Sequence, residues 1–175
     1  VETKPVKRTP APPCTTSTLQ QEAARKLGFP VGITMRVAQN LYESGWITYM
    51  RTDSMNLSDL CLNTAGPVIT ELMGAAYHQR RVYHTRAKGG QEAHEAIRPT
   101  DMGRETIKGT EQEKKLYELI WKRTIAGQMA DAQLEKTTVS IDISGLPYHF
   151  VASGEVVKFD GFLKVYRESV EESDP

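Results

Sequence analysis

The chain has 175 residues, of which 39% are hydrophobic and 25% are charged, and its 22 Lys and Arg balance its 22 Asp and Glu. This composition excludes a disordered chain, and the length suits one domain or one domain and part of another. No apolar run approaches the roughly 18–20 residues that cross a bilayer. The start, Val1–Pro5, is polar and has no initiator methionine, so we expect neither a signal peptide nor a complete protein.

The cysteine content indicates the redox compartment of the protein, and the charge distribution indicates the class of its partner. Cys14 and Cys61 are too few for a disulfide framework or a four-cysteine zinc site, which favours reduced thiols in a cytoplasmic protein. The net charge is +3 in residues 1–54 and +3 in residues 80–100. It is −2 in residues 55–79 and −4 in residues 101–175. The two basic stretches suit a polyanion close to them.

The first part of the chain predicts an extended arm and then a helical hairpin. Proline is dense in residues 1–13, which favours an extended linker. A capping box that begins at Ser17 or Thr18 opens the first predicted helix, and Gly28 ends it. A second helix is predicted over about 34–44. Two short helices followed by an extended segment resemble a helix-turn-helix with a wing, although many helical hairpins share this pattern.

Two further helices are predicted before the chain changes character. Ser54 or Ser58 caps the third helix, in which Pro67 either starts a separate helix or kinks one longer helix. Residues 75–91 are aperiodic and predict a mobile loop. Thr110 caps a fourth helix that reaches about Gly127.

The last part of the chain predicts β structure. Alternating apolar patterns follow Lys136, and Asp160-Gly161 is a strong signal for a short hairpin. The predicted strands are Thr138–Ile143, Tyr148–Val151, Val156–Phe159 and Phe162–Tyr166. We therefore expect an α+β protein: a linker over 1–13, a mainly helical domain over 14–136, and a small antiparallel β part over 137–175.

The segment Trp46–Ser54 contains the strongest candidates for catalytic residues. Side chains alternate in an extended run, so Tyr49, Arg51 and Asp53 are predicted to share one face. A phenol can attack, a guanidinium can hold a phosphate, and a carboxylate can orient the guanidinium. This arrangement predicts a phosphoryl-transfer site.

The segment Gln91–Thr100 is a second candidate for the site. It holds a histidine, two carboxylates and an arginine within eight residues. On a helical turn, His94 and Arg98 would lie on one face at i and i+4. Arg98 either contacts the substrate or pairs with Glu95.

Three stretches resemble the type IA DNA topoisomerases, in the order of that family. Trp46–Ser54 is similar to the family's active-site tyrosine motif, and Gln91–Thr100 to its second active-site segment. Pro13–Ala23 is similar to the segment that leads to the tyrosine domain, except that Cys14 replaces the usual aromatic residue. Met50 favours the bacterial topoisomerase I branch, although reverse gyrase shares this methionine.

The resemblance implies a piece of a four-domain, torus-shaped enzyme. The helical unit would be the tyrosine-bearing domain, with catabolite-activator-like helix-turn-helix character, and the β part would belong to the arch domain. The family's Toprim domain, which binds Mg²⁺, has no counterpart here, and no residue of the chain is expected to bind metal. The isolated chain would then be inactive.

The resemblance also implies the reaction and the residues that perform it. Tyr49 would attack single-stranded or negatively supercoiled DNA to give a 5′-phosphotyrosyl link, with Arg51 and His94 as the other catalytic residues. Supporting or DNA-binding roles would fall to Thr52, Asp53, Glu95 and Arg98. Two other hypotheses are a non-catalytic nucleic-acid-binding module and a structural docking domain.

Overall fold

The computed structural model describes residues 1–84 and 94–167. These residues form four α-helices and three β-strands, which confirms the α+β class. The first three residues of Gln91–Thr100 and part of the predicted loop over 75–91 lie outside the described residues. The helices are α1 (Thr16–Leu27), α2 (Val31–Glu43), α3 (Asp59–Met73) and α4 (Glu111–Ala126), and the strands are β1 (Glu2–Arg8), β2 (Ala132–Asp142) and β3 (His149–Phe159).

The three strands form one antiparallel sheet in the order β1-β2-β3. The proline-rich arm contributes β1, in which Glu2 lies opposite Thr138 and Arg8 opposite Ala132. Asp142 and His149 face each other across the predicted turn. β3 is one continuous strand rather than two, and β2 begins at Ala132, before the predicted start of the β part. The domain boundaries stay a prediction.

The predicted hairpin at Asp160-Gly161 and the strand after it are wrong. Gly161 has a φ of 53° and starts the short 3₁₀-helix Gly161–Lys164. Phe162 donates its backbone N–H to the carbonyl of Ala130 at 2.9 Å, and Phe162 and Tyr166 are buried. Burial of these side chains against the helical unit outweighs the local hairpin signal.

The helices pack around a shared apolar core, and their ends follow ordinary capping chemistry. α1 begins with a capping box of Thr15 and Thr18, so the predicted pairs that start from Ser17 or Thr18 are wrong by a few residues. Gly28 ends α1 with a φ of 68°, as predicted. The fully buried side chains of this core include Leu19, Leu41, Leu116 and Ile120. The helix-turn-helix character stays a prediction.

The two alternatives at Pro67 are decided in favour of one helix. α3 continues through Pro67 for 15 residues, and Ser58 rather than Ser54 caps it by accepting a hydrogen bond from the N–H of Cys61. Pro67 lies on the exposed face, so the backbone hydrogen bond that it cannot donate is missing on the side of α3 that faces water. Thr110 caps α4, as predicted.

Replacement of Gly161 by alanine is expected to destabilise the fold. A Cβ at this position would lie 2.4 Å from the carbonyl oxygen of Asp131, and φ is positive. We expect a loss of about 2–4 kcal/mol from backbone strain and overpacking together. Gly145→Ala is the matched control, because Gly145 also has a positive φ but no atom within 4 Å of the added Cβ. Urea unfolding that gives equal losses for both variants would contradict this account.

Candidate active site

The tyrosine segment lies antiparallel beside the second motif. Thr48 donates its backbone N–H to the carbonyl of Arg98 at 2.9 Å, and Thr100 donates its N–H to the carbonyl of Trp46 at 3.0 Å. The hydroxyl of Thr48 donates to the carbonyl of Ala96 at 2.7 Å. These bonds bring together two segments that are nearly fifty residues apart in the chain.

No regular strand forms over Trp46–Ser54, where the sequence predicts an extended run. Within this segment only Ile47 makes a β-bridge, and its partner is Pro99. The alternation of faces is nevertheless present, because Tyr49, Arg51 and Asp53 are exposed and the residues between them are less so. The segment is held by neighbours on both sides rather than by a sheet.

The predicted helical turn at His94 and Arg98 is also wrong. The described residues 94–100 form isolated bridges instead of a helix. The N–H of Ala96 bonds to the carbonyl of Asn56 at 2.8 Å, and that of Ile97 bonds to the carbonyl of Cys14 at 2.9 Å. Because these donors are used by other segments, they make no bonds within a helix.

The start of α1 fixes the other side of the tyrosine segment. The hydroxyl of Thr16 donates to the carbonyl of Met50 at 2.7 Å and accepts from the N–H of Thr52 at 2.8 Å. The N–H of Thr16 also donates to the carbonyl of Thr52 at 2.9 Å. Sequence analysis did not find this role of Thr16, because a threonine at the start of a helix is fully explained as a capping residue.

A cavity of about 370 Å³ lies where the two motifs meet. It contains six of the seven residues predicted for the site. Asp53 is the exception: it is exposed but does not line the cavity, so the predicted trio of Tyr49, Arg51 and Asp53 is not a single cluster there. The lining residues are Thr48, Tyr49, Arg51, Thr52, His94, Glu95 and Arg98.

The ring of Tyr49 is 49% exposed and contacts a second tyrosine. The ring of Tyr42 lies edge-on to it, with 5.1 Å between ring centroids and 63° between ring planes. Aromatic pairs of this kind contribute about 0.5–1.5 kcal/mol beyond burial. Tyr42 lies in the last turn of α2. Its position just before the Gly45 turn was a signal that it lies near the tyrosine motif.

The two arginines of the cavity differ in their surroundings. Arg98 is only 8% exposed, and its guanidinium donates to Glu95 at 2.5 Å, to the carbonyl of Pro99 at 2.9 Å and to the hydroxyl of Ser58 at 3.2 Å. Of the two predicted alternatives for Arg98, the structure shows the pairing with Glu95. Arg51 is exposed. Within the described ranges, the side chains of Arg51 and His94 make no hydrogen bond or ion pair.

Among the described residues, possible metal ligands are not clustered, and the two thiols are buried. Residues 1–84 and 94–167 contain no group of three or more His, Cys, Asp or Glu that is placed to hold a metal ion. Burial raises the pKa of both Cys14 and Cys61 to about 11, so both thiols stay protonated at neutral pH. Both cysteines are buried and form no disulfide. Over the same residues, no helix has the length and apolarity needed to cross a bilayer.

The site therefore presents an exposed tyrosine hydroxyl, an exposed guanidinium and an imidazole in one cavity. Such a set suits the transfer of a phosphoryl group to tyrosine. A sequence profile of the family described as DNA topoisomerase matches residues 1–175. The chain belongs to the DNA topoisomerase family, which confirms the resemblance of its motifs.

Individual relatives agree with this assignment. The chain is 51% identical over 175 residues to DNA topoisomerase 1 of Zymomonas mobilis, covering 99% of this chain and 14% of the relative. It is 51% identical to DNA topoisomerase 1 of Streptomyces coelicolor, covering 98% of this chain and 19% of the relative. The solved structure of full-length topoisomerase I from Thermotoga maritima matches with a TM-score of 0.80 and 40% identity, covering 95% of this chain and 29% of that one. The chain thus spans less than a third of each of these relatives.

Thr16→Val is expected to destabilise the site by removing the hydroxyl while keeping the side-chain shape. The carbonyl of Met50 and the N–H of Thr52 would each lose a partner, at a cost of about 1–3 kcal/mol. Thr64→Val is the control, because the exposed Thr64 hydroxyl only bonds back to the carbonyls of its own helix. Equal midpoints of urea unfolding for the two variants would show that Thr16 does not anchor the segment.

Arg98→Met is expected to cost about 2–3 kcal/mol of folding free energy, because Glu95 and Ser58 lose the guanidinium. The value is at the lower end for such pairs because the Glu95 side chain is 32% exposed. Arg80→Met is the control: its 3.9 Å ion pair with Asp59 and its 2.7 Å hydrogen bond to Asn63 are both exposed and together contribute about 0–1 kcal/mol. Thermal unfolding that ranks Arg80→Met as the more damaging change would refute the structural role of Arg98.

Proposed function

We propose that this chain provides the nucleophilic tyrosine of a type IA DNA topoisomerase that relaxes negatively supercoiled DNA. The observation that supports this most directly is the half-exposed Tyr49 in a cavity it shares with Arg51 and His94. The family assignment supports DNA as the substrate. The protein would act in the bacterial cytoplasm, at the nucleoid.

The proposed reaction is a transesterification. The hydroxyl oxygen of Tyr49 attacks the phosphorus of a DNA phosphodiester, and the bond from that phosphorus to the 3′ oxygen breaks. The products are a 5′-phosphotyrosyl link and a free 3′ hydroxyl, which takes up a proton. One phosphodiester replaces another, so resealing needs no ATP. Another strand passes through the break before the 3′ hydroxyl attacks the link and restores the chain.

The step has two difficulties: a neutral phenol is a weak nucleophile, and negative charge builds up on the phosphate oxygens. The cations of the cavity are suited to both. A free phenol titrates near pH ~10 and is a weak nucleophile at neutral pH. Arg51 is positioned to stabilise both a phenolate and the charge on the phosphate oxygens in the transition state. His94 lines the same cavity and is suited to contact the phosphate or to relay the proton.

The remaining predicted residues have supporting roles in this proposal. Arg98 and Glu95 form a fixed ion pair that holds the wall of the cavity behind His94. Thr52 fixes the backbone beside Arg51 through its bonds to Thr16. Asp53 is exposed outside the cavity lining, where it is available to a neighbouring domain.

The proposal also assigns the Mg²⁺ of the enzyme to another part of the polypeptide. The described residues provide no set of metal ligands, so Mg²⁺ would be bound by a Toprim domain in the longer protein. The sheet formed by β1, β2 and β3 would be part of the arch domain that connects the helical unit to the rest. The chain alone would neither cleave nor relax DNA.

Tyr49→Phe is expected to abolish the covalent adduct when the protein contains the remaining domains. Because the proposed link is to the 5′ phosphate, a 3′-labelled oligonucleotide should label the protein on a denaturing gel, and a 5′-labelled one should not. Tyr42→Phe is the matched control, because it keeps the ring that contacts Tyr49. We expect its adduct yield to stay within about twofold of the unchanged protein, since little area is lost.

The same assay tests the alternatives. An undiminished adduct in Tyr49→Phe would remove Tyr49 from its role, and label transferred only from the 5′-labelled strand would reverse the proposed polarity. Salt-sensitive DNA binding without any adduct would support the non-catalytic nucleic-acid-binding module instead.

A further inference from the structure

A second cavity, of about 390 Å³, lies away from the tyrosine site, at the other end of α1. Among the described residues that line it, five carry a positive charge and only Glu118 carries a negative one. We call this cavity the basic groove. Its cations are Lys26, Lys115, Lys122, Lys164 and Arg167.

The concentration of charge in the basic groove is local. The whole chain is neutral, with 22 basic and 22 acidic residues. Lys115 and Lys122 are seven residues apart on α4, which places them on one face of that helix. The acidic residues Glu111 and Glu113 in the first turn of α4 do not line the groove. The remaining cations come from the last turn of α1 and from the 3₁₀-helix and the residues after it.

Three of the cations make contacts within the protein itself. Lys122 pairs with Glu118 at 2.8 Å. Lys26 donates to the backbone carbonyl of Arg167 and lies 4.6 Å from the centre of the Tyr166 ring. Lys164 lies 5.1 Å from the centre of the Tyr77 ring but is exposed, and Lys115 is exposed as well. Neither forms an ion pair with a described carboxylate, so both can accept an anion from outside.

The floor of the basic groove is apolar and rigidly supported. Tyr166 is 4% exposed, and its hydroxyl donates to the buried carboxylate of Glu22 and accepts from Arg123 at 3.3 Å. The guanidinium of Arg123 also donates to the carbonyl of Pro12 at 2.8 Å. Burial and the bond to Glu22 raise the pKa of Tyr166, so its hydroxyl stays protonated and keeps donating. Lys26 and Arg123 already lie over the Tyr166 ring, so the cations rather than the ring would contact a ligand, and cations of this kind suit phosphate groups.

We propose that the basic groove binds backbone phosphates of DNA at a second position, separate from the Tyr49 cavity. Thr16 holds the tyrosine segment and Lys26 lines the groove, so ten residues of α1, or about 15 Å, separate the two contacts. At about 3.4 Å per nucleotide of a duplex strand, this corresponds to roughly four or five nucleotides. The inference rests on the proposed function for the identity of the polyanion.

The test compares two double variants that remove the same charge. Lys115→Gln with Lys164→Gln removes two groove cations, and Lys108→Gln with Lys114→Gln removes two exposed lysines that do not line the groove. Binding of a fluorescent single strand and of a duplex of equal length is measured at several salt concentrations. Equal unfolding midpoints for all variants verify that the fold is retained.

We expect the groove variant to bind DNA about tenfold more weakly, and its slope of log affinity against log salt on the single strand to fall by about 0.7 for each lost contact. The control should stay within about twofold of the unchanged chain. The larger loss, on single strand or on duplex, identifies the form that occupies the groove. Groove and control variants with the same affinity and slope would overturn the proposal.

The outcome is separable from that of the proposed function. The groove measurement needs no covalent chemistry, so it applies equally to Tyr49→Phe. Weaker binding by the groove variant without any Tyr49 adduct would keep the groove and refute the proposed reaction. A normal adduct together with unchanged binding by the groove variant would refute only the groove.

Discussion

The site depends on the hydrogen bonds that clamp the tyrosine segment between α1 and the 96–100 segment. Thr16 binds the backbone on one side of Tyr49, and Thr48 binds the neighbouring segment on the other. The segment therefore needs no sheet to hold Tyr49 in place while its ring stays half exposed. Because each clamp joins residues far apart in sequence, the site exists only when the helical core has formed.

The clamp divides the charged residues of the cavity into two groups. Arg98 is buried and its guanidinium is satisfied by the protein, so it holds the wall in place. Arg51 and His94 remain exposed beside Tyr49, where they are available to a phosphate. A polar group that is already paired gains little from a substrate, so the exposed Arg51 and His94 are better candidates for contact with a phosphate than Arg98.

The family assignment and the structure together describe one part of a larger machine. The described residues bring an exposed tyrosine and cations into one cavity but contain no group of three or more metal ligands, and the relatives are several times longer. The basic groove adds a second surface for phosphate at the far end of the helix that anchors the tyrosine segment. In this proposal, α1 connects the Tyr49 cavity, where the reaction takes place, to the basic groove, where DNA phosphates bind.

The sequence alone determined the α+β class, the membership of the family and most residues of the cavity. Local patterns sufficed, because caps, glycine turns and the two motifs are encoded within a few residues. Sequence-based prediction failed where contacts with distant residues decided the conformation. Residues 94–100 are not helical because their N–H groups bond to the carbonyls of Cys14 and Asn56. Phe162 is buried in the core instead of continuing the sheet as a strand residue. Only tertiary structure decided that Asp53 lies outside the cavity, that Arg98 is structural, and that lysines from separate elements form one groove. The burial and pairing of a side chain depend on which residues pack against it. Those residues are distant in the sequence, so the neighbouring residues in the chain do not reveal them.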